Sequence, residues 1–202
     1  STDIIPEDIP LDIHHIDSDV IVVNKAPGMV VHPAEAHPRG TLANAIVHLI
    51  SETEKTDPKR PGIVHRIDKG TSGLMVVART ERAMQCLSKQ FAEHSIHRRY
   101  LALIWGEKHP ENGRIEAPIG RSAKDRKKMG VREDGKHAIT HFKTLSIGRP
   151  LSCKAGGGVS LLSCRLETGR THQIRVHMAA FRRPIVGDPV YGLKKAPNSA
   201  WR

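Results

Sequence analysis

The sequence has few aromatic residues, few cysteines and no long apolar run. Aromatic residues make up 3% of its 202 residues, and no segment approaches the roughly 18 apolar residues that a membrane-spanning helix requires. The cysteines, Cys86, Cys153 and Cys164, form no Cys-x-x-Cys pair, so we expect no disulfide framework. The first residues are acidic and punctuated by proline, unlike a secretory signal. These absences predict a cytoplasmic protein with no membrane partner.

Metal and nucleotide motifs are also absent from the sequence. There is no His-Glu-x-x-His segment, and His137 and His141 fall on a strand pattern in which their side chains would lie far apart. The run of glycines at 156–158 lacks the spacing of a dinucleotide-binding loop, and no Gly-x-x-x-x-Gly-Lys-Ser/Thr segment occurs. We therefore expect no metal ion, no NAD, no ATP and no other cofactor.

The sequence does contain a large excess of positive charge. Lysine and arginine number 32 against 21 acidic residues, which gives a formal net charge of +11. An imbalance of this size indicates a polyanionic partner. Nucleic acid is favoured over a lipid surface, because no strongly apolar helix carries a basic face. We expect a nucleic-acid-binding monomer in which residues 1–202 form one domain.

Hydrophobic patterning predicts short strands and a few helices. Helices are expected after Thr41 to about Glu52, from Thr80 to about Ala92, and over residues 173–181. Strands are expected at 20–24, 74–78, 98–105, 138–146 and 159–167, and the charged segment 121–130 is expected to be a solvated loop. Because the strands mostly follow one another in hairpin-like succession, we expect an α+β fold with a largely antiparallel mixed sheet and flanking helices.

An aspartate lies among basic residues at the start of one predicted strand. Residues 62–74 read Gly-Ile-Val-His-Arg-Ile-Asp-Lys-Gly-Thr-Ser-Gly-Leu, which places Asp68 between Arg66 and Lys69 in a turn. The neighbouring positive charges favour the ionised carboxylate, which can act as a nucleophile or a base at neutral pH. A lone aspartate in such a turn most often serves only the turn, so the interpretation depends on the rest of the chain.

A second segment is dense in hydrogen-bond donors. Residues 167–177 read Glu-Thr-Gly-Arg-Thr-His-Gln-Ile-Arg-Val-His and supply Arg170, Gln173 and Arg175 within one short stretch. Guanidinium groups bind carboxylates and phosphates through paired N–H donors, and lysine does not reproduce that geometry. The segment is therefore suited to binding carboxylates, phosphates or bases.

Together, these two segments resemble the RluA-type family of RNA pseudouridine synthases. The resemblance rests on His-Arg-Ile-Asp followed by Thr-Ser-Gly-Leu within residues 65–74 and on Gly-Arg-Thr-His-Gln-Ile-Arg at residues 169–175. It extends from about Ile13 to Gly192, and residues 6–13 and 62–69 look most like the branch that acts on large-subunit ribosomal RNA. The resemblance implies the pseudouridine synthase catalytic fold and isomerisation of uridines within RNA.

The resemblance also implies roles for three residues. Asp68 would be the nucleophile that attacks either C1′ of the ribose or C6 of the uracil. Arg175 would pair with the Asp68 carboxylate and fix its orientation. Tyr100 would stack on the uracil, with removal of the proton from C5 as a further role.

The remaining assignments concern RNA contact. By resemblance, Arg66 would fill the space that the target uridine leaves when it flips out of its stack, which offsets part of a cost of about a few kcal/mol. Lys69 is assigned to RNA contact beside Arg66, and Arg170 and Gln173 to site architecture or to phosphate contact. A basic arm is assigned to the phosphate backbone and comprises Lys124, Arg126, Lys127 and Lys128.

Alternative functions stay open at this point. The chain could modify tRNA as a member of the same family, or it could be a catalytically silent RNA-binding module. Phosphoryl transfer through an aspartyl intermediate at Asp68 is weaker, because no acidic cluster for Mg²⁺ accompanies it. Compared with the family pattern, the sequence shows no N-terminal S4-type RNA-binding domain and stops soon after Val190-Tyr-Gly, so we expect its C-terminal end to be incomplete.

Overall fold

The computed structural model describes residues 3–51, 61–149 and 157–193. The chain groups into two compact units, Ser1–Ile96 and His97–Arg202. Each unit has its own antiparallel strand pairs and its own buried residues. The expectation that residues 1–202 form a single catalytic domain stays a prediction.

The first unit contains a sheet in the order β1-β2-β3 and two helices in its described residues. Its elements are β1 (Asp12–Ile16), β2 (Val20–Lys25), α1 (Leu42–Ser51), β3 (Gly73–Ala78) and α2 (Glu81–Ala92). Successive side chains of a strand point to opposite faces, so alternate residues of β2 are buried. Ile21 pairs with Val77 and Val23 with Met75, and these buried pairs lie at the centre of the sheet.

Both helices of the first unit begin beside a threonine, as the sequence predicts. Thr80 is the N-cap of α2, and its hydroxyl accepts a hydrogen bond from the N–H of Ala83 at 3.1 Å. Before α1, the hydroxyl of Thr41 accepts a hydrogen bond from the N–H of Asn44 at 3.3 Å. A capping hydroxyl satisfies an N–H that has no partner within the helix, and it stabilises the first turn by about 1 kcal/mol.

The second unit contains most of the strands. Its elements are β4 (Arg98–Trp105), β5 (Asn112–Glu116), β6 (Ile119–Arg121), β7 (Met129–Val131), β8 (Ile139–Gly148), β9 (Val159–Leu166) and α3 (Gln173–Ala180). Four of the strands form a sheet in the order β4-β9-β8-β5, and β6 pairs with β7 in a separate hairpin. Every strand pair in the described part of this unit is antiparallel.

The core of the second unit lies on one face of the four-stranded sheet. Ala102 and Ile104 of β4 are buried there with Leu162 of β9, whereas Leu101 on the opposite face is 68% exposed. The alternation within Arg98–Trp105 predicts this division of faces, because a strand has a period of two residues. Cys164 belongs to the same core, where burial raises the pKa of its thiol to about 12 and keeps it unreactive.

The predicted α+β class with antiparallel strands is confirmed, and the differences are local. The charged segment 121–130 is not wholly a loop, because its two ends pair in the β6–β7 hairpin. The hydrophobic pattern does not predict this pairing, because the side chains are charged and the strands are joined by backbone hydrogen bonds. Strands β1 and β5 were not expected from the sequence. Cys153 and most of the connection between β8 and β9 lie outside the described residues.

Candidate active site

Asp68 begins a tight turn at the entrance to β3. Its carbonyl accepts a hydrogen bond from the N–H of Thr71 at 3.0 Å, and Ile67 directly before it is buried. Upstream, the carbonyl of Gly62 accepts a hydrogen bond from Ala78 at 2.9 Å. Gly62 has φ +71°, and a Cβ atom there would lie 1.9 Å from the Ala78 oxygen, so only glycine fits. The half-buried Asp68 is thus placed by ordered backbone on both sides.

A buried lysine lies under this turn. Lys25, at the end of β2, is 1% exposed. Its Nζ donates hydrogen bonds to the carbonyls of Ala26 and Met29, both at 2.8 Å, and to that of Lys69 at 3.2 Å. Burial lowers the pKa of Lys25, and the negative charge of Asp68 opposes that change. Lys25 therefore ties the β2 end to the Asp68 turn and adds a positive charge near the carboxylate.

The two loops that meet at Lys25 are also joined through their backbones. The N–H of Gly28 donates to the carbonyl of Lys69 at 2.7 Å. Gly28 has φ +89°, a conformation that favours glycine. The carbonyl of Lys69 thus accepts from both Gly28 and Lys25, which holds the Asp68 turn against the loop that follows β2.

The predicted RNA-contact residues of the first unit lie at its surface. Arg66 and Lys69 are both exposed, on either side of Asp68. Loss of hydration and the positive charge of Arg66 lower the pKa of His32, so these two side chains are close enough to interact. Positive charge is therefore concentrated around the Asp68 turn, which suits the approach of a polyanion.

His65 anchors the segment that leads to Asp68. Its ring stacks on Phe91 of α2, with ring centroids 4.6 Å apart and planes inclined by 22°. Its Nε2 accepts a hydrogen bond from the N–H of Val76 at 3.0 Å. This acceptor role requires a neutral imidazole with the proton on Nδ1. His65 therefore supports the segment that leads to the Asp68 turn.

In the second unit, Gln173 lies at the start of α3 and is buried. Its Oε1 accepts from the Thr168 hydroxyl at 2.8 Å and from the Arg170 N–H at 3.0 Å. Its Nε2 donates to the Ile139 carbonyl at 2.9 Å and to the Thr140 hydroxyl at 3.0 Å. The amide group is thus fully used within the protein, which favours the architectural role over the phosphate contact.

The network continues to His177 within α3. Its Nδ1 lies 2.8 Å from the Thr140 hydroxyl and its Nε2 lies 2.9 Å from the Ala117 carbonyl. A carbonyl can only accept, so Nε2 carries the proton and donates to Ala117, and in the neutral ring Nδ1 accepts from the Thr140 hydroxyl. Burial lowers the pKa of His177, and the Ala117 hydrogen bond partly opposes this. The network fixes α3, and hence Arg175, relative to β8.

Arg175 projects from α3 and is paired with a carboxylate that the sequence did not single out. Its Nε donates to Oδ2 of Asp188 at 2.7 Å and its Nη2 donates to Oδ1 at 3.1 Å. The Asp188 side chain is only 3% exposed. The predicted pairing of Arg175 with Asp68 stays a prediction, because those two residues belong to different units.

Tyr100 lies on the core side of β4, where it is partly buried against the cluster that contains Ala102 and Leu162. Arg98, on the same strand, donates to the Glu167 carbonyl at 3.1 Å. Burial lowers the pKa of Arg98, and the positive charge of Arg170 lowers it further. Because Arg98 pairs with Leu166 and Tyr100 with Cys164, Tyr100 lies close to the donor-rich segment that follows β9.

Arg170 has a backbone role as well as a charge. Its Nε donates to the carbonyl of His137 at 2.8 Å, and its N–H is held by Gln173. It therefore closes the loop before α3 onto the chain before β8. The guanidinium is half-buried, so contact with an RNA phosphate stays a prediction for this residue.

The predicted basic arm lies in the hairpin loop between β6 and β7. Three of its members are exposed, namely Lys124, Arg126 and Lys127. The N–H of Ser122 donates to the carbonyl of Lys128 at 2.9 Å, so the backbone of the loop is folded back on itself. A folded loop that carries exposed cations can bind phosphates without a large ordering cost.

The described residues contain neither a metal-binding cluster nor a membrane-spanning helix. Among the described residues, no group of three or more histidine, cysteine, aspartate and glutamate side chains is arranged to hold a metal ion. No helix in residues 3–51, 61–149 and 157–193 has the length and apolar character to cross a bilayer. The described elements define an α+β protein with a carboxylate turn surrounded by basic residues.

The chain belongs to the RNA pseudouridylate synthase family. The model of that family matches residues 19–180, most of the chain, and confirms the resemblance drawn from the sequence. The ribosomal large subunit pseudouridine synthase D of Zymomonas mobilis is 48% identical over 96% of this chain and 60% of its own length. The uncharacterized RNA pseudouridine synthase YlyB of Bacillus subtilis is 46% identical over 96% of this chain and 61% of its own length.

A solved structure supports the same assignment. The human RNA pseudouridylate synthase domain containing 1 superposes with a TM-score of 0.72 at 29% identity, covering 92% of this chain and 71% of that structure. The chain spans about three fifths of the length of the two bacterial relatives. The names of these relatives therefore support a proposal for the substrate of this chain.

Sequence reasoning missed Lys25 and Asp188. A lysine at the end of a strand is usually solvated, and nothing in Lys-Ala-Pro-Gly marks it as buried among carbonyls. Asp188 is one of 21 acidic residues, and the sequence does not indicate which of them pairs with Arg175. The available signal was the turn sequence Gly-Asp-Pro at residues 187–189, close to α3 in the chain.

Proposed function

We propose that this chain is an RNA pseudouridine synthase that acts on large-subunit ribosomal RNA, with Asp68 as its nucleophile. Family membership, the name of the Zymomonas mobilis relative and the net charge of +11 support the proposal. The observation that carries it is the Asp68 turn, an ordered carboxylate near the buried Lys25 ammonium and among exposed basic side chains. We further propose a cytoplasmic monomer.

The reaction moves the bond between the base and C1′ from N1 to C5 and leaves the atomic composition of the uridine unchanged. The Asp68 carboxylate attacks C1′ of the ribose or C6 of the uracil, and the bond between N1 and C1′ breaks. The detached uracil rotates, C5 bonds to C1′, and the Asp68 carboxylate leaves. C5 loses its proton and N1 gains one, so the balance requires no oxidant or reductant.

Arg175 and Tyr100 complete the proposed catalytic set. Arg175 pairs with the Asp68 carboxylate through its guanidinium and orients the attack. Tyr100 stacks on the uracil, and its hydroxyl is the proposed acceptor of the C5 proton. Both lie in the second unit, on α3 and β4 respectively.

The remaining basic residues bind the RNA in this proposal. Arg66 enters the stack in place of the flipped uridine, and Lys69 contacts the backbone beside it. The loop between β6 and β7 supplies sequence-independent attraction to phosphates through Lys124, Arg126, Lys127 and Lys128. Gln173 positions α3, and Arg170 is the remaining candidate for a phosphate contact.

The test is pseudouridine formation on transcripts of large-subunit ribosomal RNA and of tRNA, with EDTA present throughout. The native chain is compared with Asp68→Asn, which keeps the side-chain volume and removes the nucleophile. We expect the variant to lose at least about 1,000-fold in kcat while its RNA affinity changes little. Asp12→Asn, an exposed carboxamide substitution in the same unit, is the matched control and should stay active.

Each outcome assigns a different function. Isomerisation of the tRNA transcript alone would contradict the ribosomal substrate and support the other branch of the family. Equal RNA binding by both proteins without any isomerisation would contradict catalysis and indicate a binding module. Activity that EDTA abolishes would contradict the metal-independent nucleophile at Asp68.

A further inference from the structure

The Arg175 guanidinium is held on one edge and on one face. Asp188 accepts from its Nε and Nη2, at 2.7 and 3.1 Å, and the ring centroid of Tyr191 lies 5.0 Å from its Cζ. The two hydrogen bonds to the Asp188 carboxylate and the contact with the Tyr191 ring together prevent the guanidinium from rotating. The direction of its third nitrogen, Nη1, is therefore set by Asp188 and Tyr191.

Asp188 is itself immobile and ionised. Its Oδ1 also accepts from the N–H groups of Val190 at 2.8 Å and Tyr191 at 3.0 Å. Burial alone would raise the pKa of Asp188, but the hydrogen bonds from Arg175, Tyr191 and Val190 hold it below its usual range. A carboxylate with this many fixed donors offers the guanidinium a single orientation.

Tyr191 is tied to two other elements of the same unit. Its hydroxyl accepts from the N–H of Met129 in β7 at 2.9 Å and lies 2.7 Å from Nδ1 of His172. His172 is the residue before α3 and has φ +57°, a strained conformation for a side-chain-bearing residue. The face of the guanidinium is thus packed against a ring that is anchored to β7 and to the start of α3.

Stability alone does not account for this arrangement. Taking an arginine and an aspartate out of water costs about several kcal/mol per ion, and buried pairs often add no net stability over apolar residues. The pair instead provides a fixed geometry, because the bidentate pairing with Asp188 permits only one orientation of the Arg175 guanidinium. Such rigidity matters where a guanidinium must meet a reacting group, since a misplacement of about 1 Å can cost about 100-fold in rate.

We propose that Asp188 is a positioning residue that acts on the isomerisation through the orientation of Arg175. The inference rests on the proposed function, in which Arg175 directs the nucleophile. Asp188 and Tyr191 lie beyond the residues 19–180 that the family model matches. The structure links them to the catalytic set through direct contacts with Arg175.

The test is a double-mutant cycle on kcat with Asp188→Asn, Arg175→Lys and the combined variant, using the transcript that the native chain modifies. Asp188→Asn keeps the volume but removes the charge and one arm of the fork. We expect kcat to fall about 30-fold with KM within about 2-fold of native. In the Arg175→Lys background there is no fork to orient, so the same change should alter kcat by less than about 3-fold.

A matched control separates the fork from the general loss of an ion pair. Arg149 donates to Glu107 through the same two nitrogens, Nε at 2.8 Å and Nη2 at 2.5 Å, within the same unit. Glu107→Gln should therefore leave both kcat and KM within about 2-fold of native. A loss in kcat equal to that of Asp188→Asn would overturn the proposal, as would equal factors in the two Arg175 backgrounds.

An NMR measurement tests the orientation of Arg175 in variants whose activity is too low to measure. The Nε–H of Arg175, assigned in an NMR spectrum by its loss in Arg175→Lys, should exchange slowly in the native chain. It should shift and exchange fast in Asp188→Asn while the backbone spectrum is retained; an unchanged signal would overturn the proposal. If Asp188→Asn does not fold, Tyr191→Leu, which removes the ring, replaces it in the cycle with the same expectation.

The experiments distinguish failure of the proposed function from failure of the positioning role of Asp188. A native chain that forms no pseudouridine contradicts the proposed function, and the NMR signal then still reports whether Asp188 orients Arg175. An active native chain in which Asp188→Asn keeps full kcat contradicts only the positioning role.

Discussion

The two units hold a cation in different ways, Lys25 buried in the first unit and Arg175 half-buried in the second. In the first unit, Lys25 donates to three backbone carbonyls, and its charge remains available to act on Asp68. In the second unit, Arg175 donates to a side-chain carboxylate, which neutralises its charge and fixes its orientation. A compact ammonium can donate to several converging carbonyls, whereas a planar guanidinium pairs with both oxygens of a carboxylate. The first unit thus holds a positive charge near Asp68, and the second fixes the orientation of the Arg175 guanidinium.

The largest effect on stability is expected at Lys25. Lys25→Met keeps the length of the side chain but leaves the carbonyls of Ala26, Met29 and Lys69 without their charged donor. A hydrogen bond from a charged donor contributes about 1.5 to 3 kcal/mol, and the Lys69 carbonyl keeps only the bond from Gly28, so we expect the free energy of unfolding to fall by about 4 kcal/mol. Urea denaturation followed by circular dichroism measures it.

Lys89→Met is the matched control for this prediction, because Lys89 lies exposed on α2 of the same unit. It should change the free energy of unfolding by less than about 0.5 kcal/mol. A small effect at Lys25 would mean that the carbonyls find other donors, and the contrast between Lys25 and Arg175 would then fail.

The next effect is expected in the network that carries Arg175. Gln173→Leu preserves the side-chain size but removes both hydrogen bonds given by Nε2 and both accepted by Oε1. We expect the free energy of unfolding to fall by about 3 kcal/mol and kcat to fall as well, because α3 loses its register against β8. Gln85→Leu, on the exposed face of α2, serves as control in the same urea titration and should be nearly neutral.

The comparison also shows what sequence can predict. The Asp68 turn, β2, β3 and the capping Thr80 follow from local patterns, because a turn, a strand period and an N-cap are each set by a few adjacent residues. The Leu101 face of β4 follows for the same reason.

The supports of the site could not be predicted in this way. Lys25 is held by carbonyls, which every residue possesses, so its partners leave no trace in the sequence. Asp188 is one acid among many, and its pairing with Arg175 is a tertiary contact. Strands β5, β6 and β7 lack apolar alternation, and only their backbone ladders define them.

Acid should weaken the second unit through His177. Burial places the pKa of this imidazole below its ordinary value, so the folded state favours the neutral ring. The unfolded chain then binds more protons below about pH 6.5, and stability falls as the pH decreases through that range. We expect a loss of about 1 kcal/mol between about pH 6.5 and 5.5, measured by urea denaturation at each pH.

Substitution isolates this contribution from the other histidines. His177→Gln should lower the free energy of unfolding at neutral pH but flatten its dependence on pH over the same range, because the variant has no imidazole to protonate there. His97→Gln, at an exposed position, should leave the native slope unchanged. If the free energy of unfolding of His177→Gln depends on pH as steeply as that of the native chain, groups other than His177 cause the loss of stability in acid.

The smallest effect is expected where a cation needs neither a buried partner nor an orientation. Lys127 lies exposed in the loop between β6 and β7, so Lys127→Arg should keep RNA affinity within about 2-fold. Lys127→Ala should reduce the slope of log Kd against log salt by about 0.7 to 0.9, the contribution of one phosphate contact. Filter binding over a range of salt concentrations measures both. If Lys127→Arg lost affinity as strongly as Lys127→Ala, this loop would require a specific geometry, and Arg175 would not be distinguished by its orientation alone.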